Sequence, residues 1–181
     1  ATTTMLSGRP GPVNVDVPFN VYQEEDDVEA PKPAPKFGSQ RSGASPEEVF
    51  ACVDLILNAR QPVLFVGHGV TLSEASKELT ELVHRLQIPV ISSPNGMGTL
   101  DMIAPLSLGF ICLYGAATTN ESCRRTDRVI ALVARFDTRT TSSWQTASSW
   151  HLPPHQLIRD HSDPAPLSHY YPPGLRLHPN P

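Results

Sequence analysis

Two unbroken apolar runs organise the pattern of this chain: Val63, Leu64, Phe65 and Val66, and the stretch RVIALVA at residues 128–134. Apolar runs with β-branched members and no alternation suit strands covered on both faces, as in a parallel sheet between helices. The first run ends in Gly67, His68 and Gly69, where glycine lets the chain turn sharply. A helical pattern follows over residues 73–86, with Leu79, Leu82, Val83 and Leu86 as its buried stripe. Strand, glycine turn and helix form the unit with which open α/β sheets hold ligands.

The remaining elements follow from the same patterning. Val13, Val15 and Val17 alternate with Asn14 and Asp16, which predicts an extended N-terminal strand with one buried face and a need for a sheet to join. Ser45, Pro46 and Glu48 form a helix start with a capping box, and Val49, Val53, Ile56 and Leu57 are expected on its buried face. Residues 88–91 predict a second short strand, followed by the glycine-rich SSPNGMG. Residues 105–114, with Gly109 inside, read as a loop with a short strand or turn, and residues 116–125 as a modest helix. Leu157 and Ile158 suggest a weak further strand; the proline-rich end reads as irregular, with a helical turn near Leu167. Strands alternating with helices predict an α/β fold, a Rossmann-like doubly wound parallel sheet.

Composition narrows the function classes. With 181 residues and 39% apolar residues the chain can build one core plus appendages. With a net charge of −4 and basic residues scattered, nothing points to nucleic acid or an acidic membrane surface, and neither is expected as a partner. No apolar run approaches ~20 residues, and no basic-then-apolar leader is present, so a cytoplasmic protein without a membrane span is expected. Cys52, Cys112 and Cys123 are odd in number and widely spaced, which reads as reduced thiols. The start, ATTTMLSGRPGP, lacks an initiator Met and reads as a cut end. Residues 20–44, acidic from Glu24 to Glu29 and then rich in Pro, Gly and Ser, read as a linker, with a partner-binding acidic tail as the alternative.

Taken in order, the segments resemble the central domain of thiamine diphosphate-dependent enzymes of the acetolactate synthase type. SGRPGPVNVDVPFNV (residues 7–21) resembles the closing strand of that family's pyrimidine-binding domain. PVLFVGHGV (62–70) resembles the first strand and glycine turn of the central domain, and LGFICLYGAATTN (108–120) the loop after the third strand region. TDRVIALVARFDTRTTSSW (126–144) resembles the D-L-V-L-x-x-G-x-R-F-D-D-R stretch, and PPHQLIRDHSDPAPLSHYYP (153–172) the closing K-L-I-H-V-D-I-D-P-x-E-I-G-x-x-Y-P. The resemblance implies residues 1–19 as the end of a truncated pyrimidine-binding domain and 45–181 as a central domain of the Rossmann-like, NAD/FAD-binding type.

It also implies FAD binding in acetolactate synthase members, with Gly67, His68, Gly69, Gly109, Gly115, Arg135, Asp137 and Arg139 as the corresponding candidate contacts. Backbone N–H groups at residues 67–69 could meet a diphosphate, and Arg135 and Arg139 could add charge-assisted bonds. The sequence departs from the family at several points. Val133 stands where glycine is usual, and a branched Cβ there would fill space that a cofactor needs. Cys112 replaces a further glycine, and Asp160, His161 and Ser162 interrupt the last motif. No cofactor is therefore firmly expected on this chain. The family's catalytic glutamate and its G-D-G…N metal motif lie in the two catalytic domains outside it. The parent enzyme would use thiamine diphosphate and Mg²⁺ to condense or cleave 2-oxo acids.

Other constellations are weaker. His68 reads as a loop residue rather than a catalyst. His151, His155, His161, Asp160 and Asp163 are too irregularly spaced for zinc, and no G-x-S-x-G elbow occurs. Cys52 is expected to be buried within a helix. Trp144 and Trp150 are expected to pack over the sheet edge, or to meet a neighbouring domain. The leading expectation is a central structural domain, inactive alone, whose partners are the missing catalytic domains and possible further copies of itself. The alternatives are an autonomous FAD or adenine-nucleotide module and a degenerate fragment.

Overall fold

The computed structural model describes residues 5, 11–27, 29, 43–112, 114–141, 150, 157–160 and 173–177. The chain divides into two units, Ala1–Ser42 and Gly43–Pro181. In the first, residues 11–18 are neither helix nor strand, and a single helical turn, α1, spans Phe19–Tyr22. The strand expected over residues 13–17 does not form. Its alternation offers one apolar face, but the described residues of this unit contain no second strand to pair with its backbone, and Val15 and Val17 are exposed. Most of the expected linker lies outside the described residues.

The second unit opens with α2, Pro46–Leu57. Its start is a complete capping box: the Glu48 N–H donates to Ser45 Oγ at 3.2 Å, and the Ser45 N–H to Glu48 Oε2 at 2.9 Å. The buried face is not the expected one. Cys52 is buried and Leu55 and Ile56 half-buried, whereas Val49, Val53 and Leu57 are exposed. The helix is apolar on more than one side, so periodicity alone does not say which stripe meets the sheet.

β1 is Pro62–Val66, and Val63 to Val66 are fully inside. The helix expected from residue 73 begins earlier, as the short α3, His68–Leu72, and resumes as α4, Ser76–Leu86. Glu74, at φ 56°, makes the break, and Gln87, at φ 54°, ends α4. β2 spans Val90–Ser92, and a 3-10 turn at Pro94–Gly96 follows, capped by Ser93. Residues 107–110 resolve the ambiguous stretch as β3, Ser107–Phe110. α5 covers Ala117–Arg125, and β4 covers Arg128–Leu132, stopping short of the expected Ala134. β5 is Leu157–Asp160, and β6, Leu175–Leu177, is a strand within the end expected to be irregular. Leu167 lies outside the described residues.

The described strands form one sheet in the order β3-β2-β1-β4-β5-β6, every pair parallel. Successive side chains leave on opposite faces. Val63, Phe65, Ile91, Val129, Ala131 and Leu157 enter one core with Cys123 of α5, Phe136 and Trp150. Leu64, Val66, Val90, Ile130 and Ile158 enter the other, with Cys52 of α2, Val70 of α3, and Leu79 and Val83 of α4. Both faces are covered, which is why the strand runs are continuously apolar.

Candidate functional site

In a sheet of this order the chain reverses its direction of winding between β1 and β4. Ligands of open α/β folds bind there, beyond the carboxyl ends of the strands. Gly67, His68 and Gly69 leave β1 at this point, and Val133 to Asp137 leave β4 beside them.

The two segments are in direct contact. The Gly67 N–H donates to the Leu132 carbonyl at 3.0 Å, so it is engaged within the protein. A Cβ on Gly67 would lie 2.7 Å from Ala134 Cα and would meet the Val133 carbonyl oxygen. A Cβ on Gly69 would lie 2.5 Å from Val133 Cβ and would run into Val133 Cγ1. Val133 adopts φ 46°, the left-handed region that favours glycine, and its N–H donates to the Asp160 carbonyl at 2.9 Å. The glycine usual here in the resembling family thus has a conformational reason, and valine keeps that backbone path while adding a branched side chain against Gly69. A diphosphate seated on residues 67–69 would need this space. The residues present do not fit a dinucleotide in this crevice.

The other candidate contacts are placed as follows. His68 is exposed, and its Nδ1 donates to the Asn95 carbonyl at 2.9 Å, bracing the rim of β1 to the loop after β2. Asp137 caps a turn: its Oδ1 accepts from the Thr140 N–H at 2.9 Å and from the Thr140 hydroxyl at 2.8 Å. Arg135 and Arg139 are exposed on the same segment. Gly109 lies within β3 at φ 81°, where the β2–β3 register shifts. Gly115 belongs to a turn in which its N–H donates to the Cys112 carbonyl at 2.8 Å. The parallel strands bring residues 67–69 and 133–139 together; Gly109 and Gly115 stand beyond β2. Cys112 has no positive φ, so its backbone conformation does not call for glycine.

The chain after β4 also packs inward. Phe136, at φ 54°, turns its ring to Phe65 at 5.0 Å between centroids, and Trp150 lies 5.2 Å from Phe65. The Trp150 Nε1–H donates to the Thr140 carbonyl at 3.1 Å. Trp150 therefore packs over the central strand rather than the sheet edge. Trp144, His151, His155, His161 and Asp163 lie outside the described residues. Among the described residues no group of three or more His, Cys, Asp or Glu side chains could hold a metal ion.

Burial pushes the Cys123 thiol up to about 12, and burial together with the Asp160 charge raises that of Cys52. Burial also raises the Asp160 carboxyl. Sequence reasoning missed the opposite, amino edge of the sheet. An open depression of 470 Å³ lies there, lined by Pro62, Ile88, Pro89, Arg125 and Thr126 among others. Nearby, the Asp127 carboxylate accepts from the N–H groups of Arg60 at 2.8 Å and Gln61 at 2.9 Å. Against the upward push of burial, these two bonds hold it below the usual carboxylate range. An acid directly before a strand was its only sequence signal.

Residues 49–181 match the family model described as thiamine pyrophosphate enzyme, central domain. The chain is 36% identical over 140 residues to the acetolactate synthase large subunit of Cyanidium caldarium, covering 74% of this chain and 24% of that protein. It is 35% identical over 164 residues to the large subunit of Parasynechococcus marenigrum (strain WH8102), covering 89% of this chain and 26% of that protein. Against the mitochondrial acetolactate synthase catalytic subunit of Saccharomyces cerevisiae it is 36% identical over 146 residues, covering 76% and 21%. The chain thus spans about a quarter of the length of the curated relatives it matches. Among its described residues no helix is long and apolar enough to cross a membrane.

Proposed function

The chain belongs to the thiamine pyrophosphate enzyme family as a central domain, and from that premise we propose that it is the structural middle of a longer, acetolactate synthase-like enzyme acting on 2-oxo acids. The observation that carries the reading is the central-domain match over residues 49–181, which takes in the whole doubly wound sheet. In the parent, thiamine diphosphate supplies the carbanion chemistry and Mg²⁺ holds its diphosphate, both on the catalytic domains. This domain organises those domains and, through them, a homo-oligomer.

The outer face of α2 supports the reading. Phe50 and Leu57 are 75% and 70% exposed, and Val49 and Val53 lie beside them. An apolar stripe of this kind marks a surface that another domain covers, and the catalytic portion that makes up the rest of the relatives' length is the occupant we assign to it. An autonomous FAD module is disfavoured by the Val133 contact with Gly69.

Two measurements test the proposal. The isolated chain, given thiamine diphosphate and Mg²⁺, is expected to consume no 2-oxo acid above background. A chimera in which residues 45–181 replace the central domain of the yeast relative is expected to assemble and turn over. Turnover by the isolated chain, or a folded chimera that does not assemble, overturns it.

A further inference from the structure

The winding reversal between β1 and β4 is where this strand order holds a ligand, and in this chain one side chain stands in it. Val133 combines three features. Its backbone is left-handed at φ 46°, a conformation that costs a β-branched residue and suits glycine. Its N–H is bonded to the Asp160 carbonyl of the neighbouring strand, so the backbone path is fixed from β5. Its Cβ and Cγ1 fill the place above Gly69.

We infer that the Val133 side chain is the plug that closes this crevice to a nucleoside diphosphate, and that glycine at this single position opens it. The inference stands on the strand order and the Gly69–Val133 contact, independently of the parent enzyme's activity. Val133 is half-buried and packs against the margin of the core that holds Leu64, Val66 and Val70, so its removal takes out the plug at the edge of that core, not within it. The wall left behind has no side chain at Gly67, whose N–H stays bonded to the Leu132 carbonyl, or at Gly69, and Arg135 and Arg139 stand exposed on the segment opposite.

The test titrates ADP into the 181-residue chain and into Val133→Gly by calorimetry, with thermal melting of each. Val133→Gly is expected to melt no lower than the wild type and to bind ADP at least ~10-fold more tightly. Val133→Ala, which removes both Cγ atoms but keeps a Cβ in the left-handed backbone, is expected to melt below Val133→Gly and to bind more weakly than it. Equal ADP affinity in wild type and Val133→Gly overturns the inference, whether both bind or neither does. A Val133→Gly chain that fails to fold also overturns it, because the backbone at φ 46° would then not be the glycine-like path described.

Discussion

The Val133 side chain occupies the place that a side chain on Gly69 would need, its Cβ within 2.5 Å of that position. Gly69 lies inside α3, where alanine would otherwise be the better helix former by about 1 kcal/mol. Gly69→Ala is nevertheless expected to destabilise the chain by about 1–3 kcal/mol through overpacking. In a Val133→Gly background most of that cost should vanish. Urea unfolding of the two single variants and the double variant measures the coupling, and additive losses would show that the two positions are independent.

Asp127 ties the start of β1 to the start of β4 by accepting from Arg60 and Gln61. Asp127→Ala is expected to cost about 1–2 kcal/mol at pH 7, as for a lost cap. The folded-state carboxyl is held low, so the folded protein binds its proton less readily than the unfolded chain does. Its stabilisation is complete above the unfolded value of about 3.9 and is lost as pH falls through the lower folded value. The difference between wild type and variant should therefore shrink in acid, as followed by urea midpoints from pH 7 to pH 3.

Asp160 works in the other direction. Burial raises its carboxyl in the folded state, so the folded protein holds the proton longer than the unfolded chain. Stability falls as pH rises from about 4 through the raised value. Asp160→Asn should melt above the wild type at pH 7 and with it at pH 3. The Asp160 carbonyl that accepts from Val133 is backbone and is unaffected by the change. A wild type that is the more stable at pH 7 would refute the assignment.

Trp150 is fully buried against Phe65 and Phe136. Trp150→Ala is expected to cost about 3–5 kcal/mol. Trp150→Phe keeps the ring packing but leaves the Thr140 carbonyl without its donor, at about 1 kcal/mol. Thermal melting with near-UV dichroism separates the two.

The two-sided core strands were legible because burial on both faces leaves a mark that needs no partner to interpret: Val63 to Val66 and Val129 to Leu132 are apolar without interruption. Elements whose form depends on their neighbours were not. Gly109 left residues 105–114 open between loop, short strand and turn, and its positive φ falls where the register shifts along β2. The Leu-Arg-Leu of β6 is too short to declare itself without β5 beside it. Residues 13–17 carried a strand pattern, and the described residues of their unit hold no strand to pair with it. In α2, Phe50 and Cys52 stand on opposite sides of one apolar helix, and only the sheet selects Cys52 for burial. At the candidate site, the glycine turn and the Arg135–Asp137 segment were visible, but Asp137 serves its own turn through Thr140. The obstruction by Val133 could be suspected from its type; its left-handed backbone could not.

β1 pairs with β2 on one flank and with β4 on the other, and the residues that bond to it on that second flank, Arg128 to Leu132, come far later in the chain. During synthesis, then, the innermost ribbon of the molecule waits half-dressed while everything up to Asp127 is made. A ribosome paused in that interval would display Val63 to Val66 with one side open, an apolar edge exposed to aggregation until β4 arrives.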